Sequence, residues 1–302
     1  KIAQPLSTSC AWLSLGSRVF TVAKHLLLDG NSLTYRAFFA LPTDMATASG
    51  QVTNAVFGFT SMLLNLVKDQ NPYGVVVAFD RPEPTFRHEM LPEYKAQRDP
   101  TPDLLIEQFA IVRTVLDALQ VPTVDLVGFE ADDVLATMAV QIADNGDEAI
   151  IVTGDRDIYQ MVKDPLIKVL YNKRGVSDYA LYDEAGIVER TGVTPELYPQ
   201  YAALRGDPSD NLPGVPGVGE KTAAKLINAY GGLDGIFDHA DEQTPKLRQN
   251  LIEFEERARR NVDAMVLRTD APVDLDLASV RWGTINTSDV RELFEELEFN
   301  SL

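Results

Sequence analysis

Four apolar runs of this chain end in carboxylates. "HLLLDG" stops at Asp29 and "GVVVAFD" at Asp80. "VPTVDLVGFEADDVLA" runs into Glu130, Asp132 and Asp133, and "EAIIVTGDRD" into Asp155 and Asp157. Runs this short and this rich in Val, Ile and Leu suit strands buried on both faces. Between and after them, residues 50–68, 103–119 and 131–143 carry helical apolar spacing. The alternation predicts an α/β fold with a mostly parallel mixed sheet flanked by helices. In such sheets the ligand site lies outside the carboxyl ends of the strands. Acids far apart in sequence are therefore expected to converge there.

Two stretches break the alternation. Residues 81–102 interleave Pro82, Pro84, Pro92, Pro100 and Pro102 with Arg81, Arg87, Lys95 and Arg98. An excursion this long with little core content is usually functional. From about residue 183 helical segments dominate, interrupted by "LRGDPSDNLPGVPGVGEKTAAKL" at 204–226. That segment adds Asp207 and Asp210, then Gly214, Gly217 and Gly219 ahead of a helix bearing Lys221, Thr222 and Lys225. Backbone N–H groups at such a helix start suit a phosphate, and the glycines let it approach closely. The plainer alternative is a Gly/Pro turn between helices.

The acids also have a plain alternative: Glu130, Asp132 and Asp133 cap a helix, at about 0.3–1 kcal/mol each. Capping does not account for the whole set, because clustered carboxylates are costly unless cations neutralise them. His25, His88 and His239 are scattered and Cys10 is the single cysteine, which argues against zinc. All-oxygen ligation points to Mg²⁺ or Mn²⁺.

Net charge is −18 over 302 residues, which taken alone argues against a nucleic-acid partner. The nine candidate site acids supply half of that excess. The surface facing a phosphate backbone must then be locally basic, with Arg36, Arg81, Arg87, Lys95, Arg98, Lys173, Arg174, Lys221 and Lys225 as candidates. One cysteine leaves no disulfide framework and fits a reducing compartment. The apolar stretch near the N-terminus is broken by Arg18 and Lys24, so neither a transmembrane span nor a signal peptide is expected.

"LLLDGNSLTYRAFFA", "VAFDRPEPTFRHEMLPEYKAQRDPTP", "GFEADDVLA", "VTGDRDIYQ" and "ALRGDPSDNLPGVPGVGEKTAAKL" resemble, in order, the motifs of the bacterial 5′-nuclease family. That family comprises flap endonucleases and the N-terminal 5′-nuclease domain of DNA polymerase I. The resemblance implies an α/β nuclease core over 25–182 with a helical arch at 81–102. It also implies a helical DNA-binding subdomain over 183–302, with a helix–two-turn–helix module at about 204–230 and a potassium ion held there by backbone oxygens. Asp29, Asp80, Glu130 and Asp132 would lie nearer one metal, and Asp155, Asp157 and Asp210 nearer a second. Asp133 and Asp207 would be ligands or support them. Lys95 and Arg98, three apart on one helix face, match arch cations that contact the scissile phosphate. Tyr35 matches an aromatic that stacks near the displaced base, with plain core packing as the alternative. Residues 1–24 have no family counterpart, and Asp99 follows Arg98 where the family often has an apolar residue or proline, a departure whose effect on the arch cations the sequence leaves open.

The resulting expectation is a structure-specific 5′-nuclease, both flap endonuclease and 5′-3′ exonuclease, using two-metal catalysis in primer removal and repair. Its substrates would be branched or flapped DNA, nicked duplex and RNA–DNA primer ends. The enzyme would be a cytoplasmic, nucleoid-associated monomer, with polymerase, ligase or sliding clamp as candidate partners. Free-standing enzyme and fragment of a polymerase are not separated by the sequence. One rival is a non-catalytic DNA-structure-binding module, which would not need nine acids. A second is another metal phosphohydrolase, which would need neither arch nor duplex-binding turn.

Overall fold

The computed structural model describes residues 22–301. Most of the expected leader, Cys10 included, lies outside the described residues. Lys24 already opens the first strand, which takes it out of any leader. The core runs β1 (Lys24–Asp29), α1 (Gly30–Ala40), α2 (Asn54–Gln70), β2 (Gly74–Ala78), α3 (Phe86–Met90), α4 (Asp103–Ala118), β3 (Thr123–Val124), α5 (Ala131–Asp144), β4 (Glu148–Thr153), β5 (Ile167–Arg174) and β6 (Asp178–Tyr182). The sheet order is β3-β2-β1-β4-β5-β6. All neighbours are parallel except β5 and β6. Strand order reverses between β1 and β4, and a switch point of that kind opens a crevice at the carboxyl ends.

Why the strands stay put is visible in β1. Leu26 and Leu28 face a core built with α1, α2 and α4, while Leu27 faces one built with α5 and the later helices. All three are fully buried, contributing about 1.5–3 kcal/mol each. A one-residue slip would exchange the two faces. β3 is shorter than the apolar run at 121–129 suggested, because Gly128 turns the chain with φ 83° before α5. β6 was not anticipated; it returns antiparallel through a turn at Gly175, φ 58°.

The segment 81–102 is mainly turns, with α3 its single helix. It is nonetheless anchored: Arg87 and Tyr94 are buried, at 2% and 4% exposure. Lys95 and Arg98 do not share a helix face. They sit in a turn where Lys95 is left-handed, φ 56°, and the Arg98 N–H donates to the Lys95 carbonyl.

Beyond the sheet come α6 (Glu184–Thr191), α7 (Tyr198–Arg205), a small hairpin of β7 (Gly206–Asp207) and β8 (Leu212–Pro213), α8 (Glu220–Tyr230), α9 (Leu233–Asp238), α10 (Pro245–Met265) and α11 (Thr287–Glu296). α10 packs on α7, while α11 returns to α4. Among the described residues no helix is long and apolar enough to cross a membrane.

Candidate active site

Asp29 ends β1, Asp80 follows β2, and Asp155 follows β4 by two residues. Glu130 caps α5, with Asp132 in its first turn. All five line one cavity of about 480 Å³ at the switch point, together with Tyr35, Lys95, Arg98 and Asp99. An adjoining cavity of about 550 Å³ is lined by Asp155, Asp207, Arg156 and Arg205.

Each acid is held by its neighbours. Asp29 accepts from the Ser32 N–H at 2.9 Å and the Thr153 hydroxyl at 2.7 Å. Asp80 accepts from the Ala131 N–H at 2.7 Å, tying the end of β2 to the start of α5. Asp155 accepts from the Asp157 N–H at 2.9 Å. Asp207 accepts from the Ser209 N–H at 2.8 Å. The Tyr94 hydroxyl lies 3.0 Å from Glu130 and 2.9 Å from Asp210, and its pKa is raised by burial and by those two carboxylates.

The electrostatics divide the acids. Burial, then Asp80, push Asp29 up to about 7. Burial raises Asp80, with the Ala131 N–H opposing and Glu130 reinforcing. Asp132 is raised by burial and by Asp155, Asp29 and Asp80. Asp157 is raised by burial and by Asp155, Asp210 and Asp207. Burial also raises Asp155 against the Asp157 N–H, with Asp210 adding to the rise. The repulsions thus form two groups that meet at Asp155. Glu130 goes the other way: Lys95 and Arg87 overcome the effect of burial and lower it.

Among the described residues no three His, Cys, Asp or Glu side chains are drawn into a ready cation cage. Unneutralised carboxylates repel, and protein cations already sit on several of them, among them Arg205 on Asp207 at 3.6 Å. Lys95 Nζ lies 2.7 Å from Glu130, and Arg98 Nη2 lies 2.7 Å from Asp210. The donor set still fits a hard divalent cation. It is all oxygen, it is strained by its own charge, and Asp132 Oδ1 is buried without a hydrogen-bond partner.

Two assignments need correction. Asp133 is completely buried, and its carboxylate is taken by Arg87 at 2.6 and 2.8 Å and by the N–H groups of Arg268 and Glu130. It is not available to a metal, and the capping interpretation holds for it, in a reciprocal capping box with Glu130. Arg87, its partner, also donates from Nε to the Ala264 carbonyl at 2.7 Å. It is not a DNA-facing cation.

The other candidates are placed as follows. Tyr35 lines the cavity, its hydroxyl bonded to Thr101 and its ring against Phe39 and Phe109. Arg36 is half-buried and donates to the Asn172 carbonyl at 3.3 Å. Arg81 is neutralised by Glu83 and Asp125. Gly214 serves backbone packing, since a Cβ there would lie 2.4 Å from Arg205 C and from Gly206 N. Gly217, Gly219, Lys221 and Lys225 are exposed around the start of α8, with Thr222 half-buried. Tyr94, Thr153 and Arg205 were not singled out in the sequence. Tyr94 had a signal, as the neighbour of Lys95 in "EYKAQR", whereas Thr153 and Arg205 had none.

A switch-point crevice lined with carboxylates, beside a second helical unit with a Gly-rich turn, defines a nuclease with a resolvase-like core. The 5′-3′ exonuclease N-terminal resolvase-like domain matches residues 24–192, and the 5′-3′ exonuclease C-terminal SAM fold matches residues 193–288. This chain belongs to the 5′-3′ exonuclease family. DNA polymerase I of Mycobacterium bovis is 45% identical over 278 residues, covering 92% of this chain and 31% of that protein. DNA polymerase I of Bacillus subtilis is 39% identical over 280 residues, covering 92% and 32%. This chain therefore spans well under half the length of these relatives. A flap endonuclease of bacteriophage T5 in complex with DNA and metal ions superposes with a TM-score of 0.67 at 24% identity, covering 91% of this chain and 99% of that one. The catalytic core of Rad2 in complex with DNA substrate gives 0.63 at 19% identity, covering 92% and 89%. These two likenesses concern the fold.

Proposed function

We propose that the chain cleaves 5′ flaps near the junction of single strand and duplex and degrades 5′ ends, in primer removal and repair. It would act as the nuclease unit 25–182 with its DNA-binding unit 183–302. The observation that carries this is the cavity where Asp29, Asp80, Glu130, Asp132 and Asp155 face Lys95 and Arg98. Phosphodiester hydrolysis needs both signs at one place: acids to hold divalent cations, bases to receive the phosphate.

Mg²⁺ or Mn²⁺ would be held by Asp29, Asp80, Glu130 and Asp132 on one side and by Asp155, Asp157 and Asp210 on the other, with Asp207 supporting. Divalent ions in such a site supply an activated water and charge for the leaving oxygen. The protein supplies the rest. Lys95 and Arg98, released from Glu130 and Asp210, neutralise the scissile phosphate as charge builds on it. The Tyr94 hydroxyl orients those two carboxylates. N–H groups around Gly217 and Gly219, with Lys221, Thr222 and Lys225, hold a duplex phosphate, and backbone oxygens of that turn are the place for K⁺. Arg36 and Tyr35 flank the path of the displaced strand.

The test is Asp155→Asn combined with Asp157→Asn, assayed for divalent-dependent flap cleavage. Loss of cleavage with flap binding retained is expected. An intact rate would refute the metal assignment.

A further inference from the structure

A third cavity, of about 430 Å³, lies on the far side of Tyr94 from the acids. The Tyr94 ring lines it while the hydroxyl reaches Glu130 and Asp210 in the acid site. One wall comes from the 81–102 segment, with Met90, Leu91 and Pro92. Another is the hairpin edge at Leu212 and Pro213, and the third is α10, with Arg257 and Arg260.

The arginines carry the argument. The chain has 45 acids against 27 bases, yet this wall of the cavity carries two arginines and no acid. On α10 the contrast is local. Arg259 is paired with Asp234 and Glu255. Arg257 and Arg260, three apart and so on one face, have no ion pair among the described residues. Arg257 stacks on Phe254 and donates through Nη2 to the Gly214 carbonyl, which fixes its plane. Its Nε–H is buried and has no hydrogen-bond partner. A buried unmet donor costs about 1–3 kcal/mol, and the guanidinium that carries it belongs to a residue lining the cavity. The one acid among the lining residues is Glu93, on the 81–102 wall, which directs an anion toward α10. Opposite stands an apolar surface in which Met90 is 43% exposed. A cationic wall facing an apolar one suits a nucleotide, with phosphate on one side and base on the other. A base can enter such a slot only when unpaired and unstacked.

We propose that this cavity is a second nucleic-acid subsite. It takes one nucleotide of the single-stranded part of the substrate, the phosphate toward the Arg257 and Arg260 guanidiniums and the base against Met90 and Pro213. The proposal rests on the 5′-flap interpretation and adds to it where the unpaired strand is gripped.

The test uses the full chain in EDTA and measures binding to a 5′-flap duplex and to the same nicked duplex without a flap. The variants are Arg260→Gln and Met90→Ala. Both side chains are exposed, so folding is not at risk. Arg260→Gln should weaken flap binding about five- to tenfold, with about one unit less salt dependence, and spare the flapless duplex. Met90→Ala should weaken flap binding about fivefold or more without changing the salt dependence. Equal flap binding by wild type and both variants would overturn the subsite. An equal loss on both substrates would place Arg260 on duplex and overturn the single-strand assignment. If wild-type protein binds neither DNA, the 5′-flap interpretation itself fails, an outcome distinct from failure of the variants alone.

Discussion

Lys95 Nζ and Glu130 Oε1 stand 2.7 Å apart, so a cation of the chain occupies a carboxylate proposed for a metal. Burial pushes the Lys95 ammonium down, but Glu130 and Asp210 outweigh it and raise its pKa. Under the proposed assignment the lysine would compete with the divalent ion before DNA arrives and serve the phosphate afterwards. Lys95→Ala should bind divalent ions more tightly in the absence of DNA, by calorimetric titration. The same variant should cleave about 10²–10³-fold more slowly at saturation, with a much smaller change in duplex affinity. A large loss of binding with an unchanged single-turnover rate would contradict this role.

The Arg87–Asp133 pair predicts a structural phenotype. It joins α3, α5 and the end of α10 through Asp133, Ala264 and Arg268. Removing one partner leaves a buried charge, so Arg87→Met should lower unfolding free energy by about 3–5 kcal/mol in a denaturant titration. Arg87 also lies 3.5 Å from Glu130. A mild loss below about 1 kcal/mol would show the pair to be dispensable.

Stability of the metal-free protein should depend on pH through the acid cluster. Asp29 rises from its ordinary 3.8 to about 7 on folding. The folded state then holds that proton more tightly, a contribution present in full below about pH 4 and lost as pH rises through about 7. Asp80, Asp132, Asp155 and Asp157 shift in the same direction. Relative to wild type in EDTA, Asp29→Asn should gain thermal stability as pH is raised from about 5 to about 8, and saturating divalent ion should shrink that gain. A gain of opposite sign would place Asp29 outside the repulsive cluster.

The glycines of the turn should not be equivalent. Gly214→Ala drives a Cβ into the Arg205–Gly206 backbone and should cost about 1–3 kcal/mol or more. Gly217→Ala carries strain from φ 83°, about 1 kcal/mol. Gly219→Ala meets nothing within 4 Å and, as the N-cap of α8, should cost about 1 kcal/mol or less. Thermal unfolding of the three variants ranks them; a Gly219 variant less stable than the Gly214 one would refute the packing assignment.

The sheet was legible because each core strand is a dense apolar run, and a run buried on both faces admits few alternatives. The same runs placed Asp29, Asp80 and Asp155 at one end of the sheet. Asp133 was misassigned because helical spacing separates faces without saying which face meets a cation. Its partner lies 46 residues away, beyond any local pattern. Lys95 and Arg98 were expected on a helix, but the prolines around them favour turns, and backbone bonds to the hairpin hold that turn instead, such as Lys95 N–H to the Asp210 carbonyl. β6 was missed because "DYALY" shows no clean alternation, its Leu181 being exposed while Tyr179, Ala180 and Tyr182 are half-buried, and the strand gains its place only by pairing with β5.

Single-turnover cleavage of a labelled 5′-flap duplex, with Mg²⁺ or Mn²⁺ and with EDTA, tests the central claim most directly. The predicted result is a cut near the junction of flap and duplex that disappears with the chelator. Tight flap binding without cleavage under either ion would contradict it and would leave a protein that recognises branched DNA without cutting it.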